Sequence, residues 1–121
     1  MIEILAHIIE NEEIKIIAEI GIWRSKMLRT ILNKYKDIIT QYWAIDIWEP
    51  NDSHKKYQRT SKEDWNYLYL KACKLMLSFP QLHVVKASSL DVSELFPPDY
   101  FDLVFIDADH HYKAVLSDIK A

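Results

Sequence analysis

The chain has 121 residues, of which 50% are hydrophobic and 27% charged, and these values predict one globular domain over residues 1–121. Its 15 Lys and Arg against 18 Asp and Glu give a formal net charge of −3, which argues against nucleic acid as a partner. The chain has no apolar run near the ~20 residues that cross a bilayer, no secretion-signal pattern and only one cysteine, so we expect a soluble cytoplasmic protein with no membrane partner.

Gly21 is the only glycine in the chain, whereas glycine makes up about 7% of ordinary proteins. The glycine-rich turns of the standard dinucleotide-binding fingerprint and of the P-loop are therefore absent. Any nucleotide-like ligand has to be bound around a single glycine.

In the first half of the chain, hydrophobic spacing predicts helices that alternate with strands. An amphipathic helix over residues 2–10 precedes an isoleucine-rich buried strand over residues 15–20, which stops at Gly21. Apolar residues at helical spacing then predict a helix over residues 25–35, and a second strand follows over residues 42–47.

The second half of the chain continues this alternation. A capping-box sequence at residues 61–64 predicts the start of a long helix. A third strand covers residues 82–86 and is followed by a turn at residues 87–89. A fourth strand covers residues 102–107, and a helix is predicted from about His111 to the end.

Alternating strands and helices predict the fold class, which is α/β: a Rossmann-like three-layer sandwich whose mostly parallel sheet is covered on both faces. Because the pattern contains four strands, we expect a partial domain, truncated after the fourth strand. An apolar edge would then lie beside that strand. This edge predicts a truncated chain, a longer natural protein, or a homo-oligomer formed through the exposed edge.

Two residues follow predicted strands at the edge where ligands of such sheets bind. Gly21 permits the backbone to turn sharply and to approach a ligand closely. Asp46 comes 25 residues later, at the end of the second strand, where a carboxylate can accept hydrogen bonds from both hydroxyls of a ribose. The alternatives are a simple strand-to-helix turn at Gly21 and a capping or solvated role for Asp46.

The segment after the fourth strand brings two aspartates and two histidines together. Asp107 and Asp109 lie at the end of this strand, where ligands of such sheets bind, and at most one of the adjacent His110 and His111 can point into the crevice. In the alternative interpretation, the aspartates cap the final helix and the histidines lie on the solvated surface.

Three segments of the chain resemble class I S-adenosylmethionine-dependent methyltransferases, and within them the small-molecule O-methyltransferase-like group. They are residues 18–28 (AEIGIWRSKML), residues 44–48 (AIDIW) and residues 101–112 (FDLVFIDADHHY). The last segment is the most specific, because a strand with the sequence FDLVFID, followed by Asp-His and a Tyr, is a signature of this group. The resemblance extends from about Lys15 onward and corresponds to the N-terminal part of the domain.

The resemblance implies S-adenosyl-L-methionine as the cofactor and assigns residues to its parts. Glu19 and the turn at Gly21 would face the methionine part, Asp46 would hold the ribose hydroxyls, and the turn at residues 87–89 would lie against the adenine. The predicted cofactor-binding residues are Glu19, Gly21, Trp23, Ser25, Asp46, Ile47, Ser88, Ser89 and Asp107.

The resemblance also implies the reaction, which is methyl transfer to a hydroxyl group of a small-molecule substrate. Asp107 and His110 are the predicted catalytic residues, with His110 as the base that removes the acceptor proton. Asp107 matches an aspartate that helps to hold a divalent cation, such as Mg²⁺, in metal-dependent relatives. The remaining ligands of such sites follow a fifth strand, so the segment predicts at most a weak, hydrated cation at Asp107.

Other functions stay open at this point. Ser25 stands where relatives usually have a second glycine, which predicts a less close approach of the helix to the cofactor. Because the missing strands normally complete the sheet and supply substrate contacts, a catalytically inactive remnant that keeps a cofactor-binding or interaction role is the first alternative. An NAD-dependent oxidoreductase would share the strand order and the ribose contact at Asp46, but it would require the missing glycine-rich turn.

Overall fold

The computed structural model describes residues 2–22, 25–48, 62–108 and 111–116. These residues contain four helices and five strands, which are, in chain order, α1 (Ile2–Asn11), β1 (Ile16–Ile20), α2 (Lys26–Tyr35), β2 (Gln41–Asp46), α3 (Lys62–Leu75), β3 (Leu82–Lys86), α4 (Ser89–Ser93), β4 (Leu103–Ala108) and β5 (His111–Leu116). None of the described helices is long and apolar enough to cross a membrane.

The strands form one sheet with the order β3-β2-β1-β4-β5. Strands β1 to β4 are parallel to one another, and β1 lies in the middle, between β2 and β4. The chain moves outward from β1 through β2 to β3 and then returns to the other side of β1 at β4. The predicted Rossmann-like α/β fold is confirmed, and the strand order reverses beside β1.

Three helices cover one face of this sheet. Alternation along the strands turns residues such as Ile17 and Tyr42 to this face, where helices α1, α2 and α3 pack. The core contains fully buried side chains from each of the three helices and from the sheet, among them Leu5, Leu28, Leu32, Ala72 and Phe105. The three amphipathic helices are held to the sheet by this burial.

The second face is covered by α4 and by the aromatic segment before β4. Val92 of α4 is buried against Ala18 and Ile45 of the sheet, with Phe96 and Phe101 packed around them. On the same face, the ring of Trp43 stacks on His83 at 4.3 Å between centroids, which gives this histidine the structural role expected of a residue inside a strand. Both faces are covered, but the second face is covered by a much smaller element.

The helix predicted from about His111 is wrong. Residues His111–Leu116 instead form β5, which pairs antiparallel with β4 from Ala108↔His111 to Leu103↔Leu116. Only two residues separate the strands, so β5 is brought directly beside the backbone donors and acceptors along the outer edge of β4. This pairing overrides the helical spacing of the apolar residues. The free edge that the sequence predicts at β4 is therefore occupied, and β3 and β5 are the edge strands of the described sheet.

Candidate functional site

Gly21 ends β1 in a conformation that suits glycine. Its φ is 90°, in the region that a residue with a side chain avoids. The Gly21 N–H donates to the carbonyl of Ile45 at 2.9 Å, so hydrogen bonding to β2 continues one residue beyond the end of β1. The backbone then leaves the sheet at its carboxyl edge, where the sequence predicts a ligand.

Asp46 lies at the end of β2 and connects two turns. Its carboxylate accepts the N–H of Ile22 at 2.7 Å and the N–H of Trp48 at 2.9 Å, one at each oxygen. Because each carboxylate oxygen can accept more than one hydrogen bond, these contacts are compatible with binding the hydroxyls of a ribose. The structure thus brings Gly21 and Asp46 together, as the sequence predicts.

Ser25 precedes α2 in the left-handed conformation, with φ 64° and ψ 17°. Its side chain makes no capping hydrogen bond to the helix, and its Oγ is buried with no partner among the described residues. The backbone at this position is therefore in a conformation that glycine adopts more readily than serine. The carbonyl of Ser25 still accepts the N–H of Arg29 at 3.2 Å, so α2 begins normally.

Glu19 is buried inside the fold, on the face that the helices cover. It is 1% exposed, and Tyr42 of the neighbouring strand donates its hydroxyl to Glu19 Oε1 at 2.6 Å. Burial, together with the nearby Glu19 carboxyl, raises the pKa of the Tyr42 hydroxyl well above its usual value. The contact of Glu19 with a cofactor remains a prediction, while its structural partner is Tyr42.

The hydrogen bond from Tyr42 to Glu19 was not predicted from the sequence. A glutamate inside the apolar strand IIAEI has to find a hydrogen-bond donor when it is buried, and this was an available signal. The partner itself depends on the register, in which Glu19 lies opposite Ala44 and Tyr42 is its diagonal neighbour on the same face.

The turn after β3 lies beside Asp46. The Ala87 N–H donates to the backbone carbonyl of Asp46 at 3.0 Å. Ser88 caps α4, because its Oγ accepts the N–H of Asp91 at 3.1 Å, and Ser89 is the first residue of that helix. Ile47 follows Asp46 and is half-buried. The predicted adenine-side residues therefore meet Asp46 at one edge of the sheet.

The remaining predicted residues are described in part or not at all. Asp107 is the second-last residue of β4 and lies one position beyond Ile106, which pairs with Ile20 at the end of β1. The side chain of Asp107 and the whole of Trp23 and His110 lie outside the described part of the chain. Within that part, no group of three metal-ligating side chains is present.

Trp48 lies two residues after the end of β2, beside the site. It is 1% exposed and has a left-handed φ of 47°. Its ring lies 5.2 Å from that of Tyr69 in α3, and its Nε1 has no hydrogen-bond partner among the described residues. Trp48 therefore anchors the turn after Asp46 to the helix layer.

Comparison with known protein families matches residues 18–121 of the chain to a methyltransferase domain family. The chain belongs to this family and is a class I S-adenosylmethionine-dependent methyltransferase domain. The same comparisons found no similar curated protein and no similar solved structure.

Proposed function

We propose that the domain binds S-adenosyl-L-methionine at the carboxyl edge of β1, β2 and β3 and transfers its methyl group to a hydroxyl of a small molecule. The observation that carries the proposal is the 2.7 Å hydrogen bond from the Ile22 N–H to Asp46, which joins the glycine turn to the acidic residue after β2. This pair lies where the strand order reverses, which is the ligand-binding position of open α/β sheets.

The residues present fit the cofactor in four respects. Asp46 would accept hydrogen bonds from the ribose hydroxyls, and Gly21 has no side chain to keep a ligand from its backbone. The first turn of α2 begins directly after Ser25, and its free N–H groups favour the carboxylate of the methionine part. The turn at residues 87–89 would contact the adenine.

The proposed reaction requires the removal of a proton as the acceptor oxygen is methylated. When bound, S-adenosylmethionine supplies an electrophilic methyl group on a positively charged sulfur. His110 would accept the proton of the acceptor hydroxyl, and Asp107, near the end of β4, would orient the acceptor or a hydrated divalent cation beside it. These two assignments rest on the resemblance of residues 101–112 to O-methyltransferases.

The proposal is tested by calorimetric titration of S-adenosylhomocysteine into the wild-type chain and two aspartate variants. Asp46→Asn removes one acceptor oxygen and should weaken binding by at least about tenfold, because a hydrogen bond to a charged group contributes about 1.5–3 kcal/mol. Asp102→Asn is the matched control. The Asp102 carboxylate also accepts hydrogen bonds from two backbone amides, those of Lys15 and Ile16, at 2.8 and 2.9 Å. It lies at the amino ends of the strands, opposite the proposed cofactor site.

Both variants remove the charge of a carboxylate that accepts two backbone amides, so both should lower the unfolding temperature, while only Asp46→Asn should lose affinity. Equal affinities in the two variants would refute the ribose assignment. Saturable binding of NAD but not of S-adenosylhomocysteine would favour the oxidoreductase, and binding of neither would favour an inactive remnant.

An activity assay tests the proposed acceptor class separately. Release of S-adenosylhomocysteine from S-adenosylmethionine with amine compounds but not with hydroxyl compounds would overturn the proposed acceptor class.

A further inference from the structure

A surface groove of about 580 Å³ lies between α2 and α3. Three of the residues that line it, Tyr67, Leu70 and Leu77, are 61%, 54% and 85% exposed. Large apolar side chains that are exposed next to one another are typical of surfaces that bind another molecule. Of the candidate site residues, Ser25 also lines this groove, while Gly21 and Asp46 do not.

Helix α3 has apolar residues on two sides, and only one of these sides packs against the sheet. Trp65 and Ala72 face the sheet and are buried in the main core. On the groove side, Tyr67, Leu70, Lys74 and Leu77 are spaced by three, four and three residues, so they form one stripe along the helix and the turn after it, with Lys71 next to Leu70. At 1.5 Å per residue the stripe is about 15 Å long, which matches roughly three turns of a partner helix.

The groove is a positively charged region of an acidic chain. Arg29, Lys71 and Lys74 line it and are exposed, and none of its lining residues is acidic. Helix α2 has no acidic residue, although the whole chain carries a net charge of −3. The Lys71 ammonium lies 5.8 Å from the ring centroid of Tyr67, so cationic and apolar groups alternate along one surface.

We propose that this groove docks an amphipathic helix with an acidic polar face, supplied by a partner protein. The apolar side of such a helix would cover Tyr67, Leu70 and Leu77, and its carboxylates would pair with Arg29, Lys71 and Lys74. A second copy of the chain fits less well. In a symmetric dimer through this groove, the lysines of one copy would face the same lysines of the other.

The test uses two fluorescein-labelled 14-residue synthetic helices with leucines at heptad positions, one with glutamates and one with lysines at the polar positions. Fluorescence anisotropy should show the glutamate peptide binding at least about tenfold more tightly than the lysine peptide, with affinity falling as salt is added. Lys71→Glu/Lys74→Glu should weaken its binding by at least about tenfold, and Leu70→Ser/Leu77→Ser should weaken it at every salt concentration.

The matched control is Lys15→Glu/Lys34→Glu, which makes the same change in net charge at exposed lysines outside the groove. It should change the affinity by less than about twofold, because neither lysine lines the groove and salt weakens the effect of exposed charges that do not contact the peptide. Equal loss in the two charge-reversed variants, equal binding of the two peptides, or no binding of the glutamate peptide would overturn the proposal. Self-association that Lys71→Glu/Lys74→Glu abolishes would replace the acidic partner with a second copy.

Discussion

Ser25 is in a backbone conformation that favours glycine. A left-handed residue with a side chain costs about 1–2 kcal/mol, and a buried hydroxyl without a partner costs about 1–3 kcal/mol. Ser25 has both features, with φ 64° and a buried Oγ that has no partner in the described part of the chain. Since its side chain does not cap α2, the hydroxyl provides no compensating contact there.

Ser25→Gly should therefore raise the free energy of unfolding. The gain should be about 1 kcal/mol, because relief of the conformation and of the buried hydroxyl exceeds the ~0.5–1 kcal/mol of extra chain entropy that glycine loses on folding. Urea denaturation of the two chains measures the difference. Asp99→Gly is the control, because Asp99 also has a positive φ of 60° but is exposed, and aspartate tolerates this conformation better. A gain at Asp99 as large as that at Ser25 would contradict the explanation.

Single residues at the candidate site were predictable where a local rule applies. Gly21 was predicted because it follows a buried strand and is the only glycine, and Asp46 because it ends the next strand. The burial of Glu19 against Tyr42 and of Trp48 against Tyr69 was not predictable, because these contacts depend on strand register and on the position of α3.

At the scale of elements, the strand of residues 111–116 shows where local patterns fail. Tyr112, Val115 and Leu116 have a spacing that suits a helix, but tyrosine and valine are also good strand formers. Pairing with β4 makes this segment a strand rather than a helix, and the local sequence pattern does not indicate that pairing. By contrast, β1, β2 and β3 were predicted within one residue of their observed ends, since each is a short apolar run between polar turns.

Nuclear magnetic resonance distinguishes the strand from the predicted helix. In solution, backbone protons of Phe105 should show nuclear Overhauser contacts with those of Ala114, because these residues are paired across the hairpin. The Cα shifts of residues 111–116 should have the sign of extended structure. Contacts between residues three apart within this segment would instead indicate a helix and contradict the pairing.

At the scale of the whole molecule, the two faces of the sheet are unequal. Helices α1, α2 and α3 cover one face, and the five-residue α4 with its aromatic neighbours covers the other. The larger core includes buried tyrosines, so the stability of the whole fold depends on keeping their hydroxyls protonated. Tyr42 is fully buried beside Glu19, and its pKa is raised. Burial, together with the hydrogen bond that the Tyr35 hydroxyl donates to Glu10, raises the pKa of Tyr35 to about 12.

This arrangement predicts that the domain loses stability at alkaline pH. A tyrosine whose pKa is raised in the folded state keeps its proton above pH ~10, where the unfolded chain has lost it, so unfolding becomes easier as the pH rises. The free energy of unfolding should be level below pH ~10 and then fall by about 1.4 kcal/mol per pH unit for each such tyrosine.

Urea denaturation between pH 8 and 11 measures this slope. Tyr42→Phe should make the slope shallower, although it also lowers stability at neutral pH by leaving Glu19 without its tyrosine donor. Tyr67→Phe is the control, because Tyr67 is 61% exposed. The same slope in Tyr42→Phe as in the wild type would show that Tyr42 does not cause the alkaline loss.

The central strand β1 is fixed along its own length. Asp102 accepts hydrogen bonds from the amides of Lys15 and Ile16 at its start, and Asp46 accepts one from the amide of Ile22 beyond its end. A slip of one residue would release all three amides and turn Glu19 to the opposite face, away from Tyr42. The strand therefore has a single permitted position, and any adjustment to a ligand at its carboxyl edge has to come from turns and side chains rather than from sliding of the sheet.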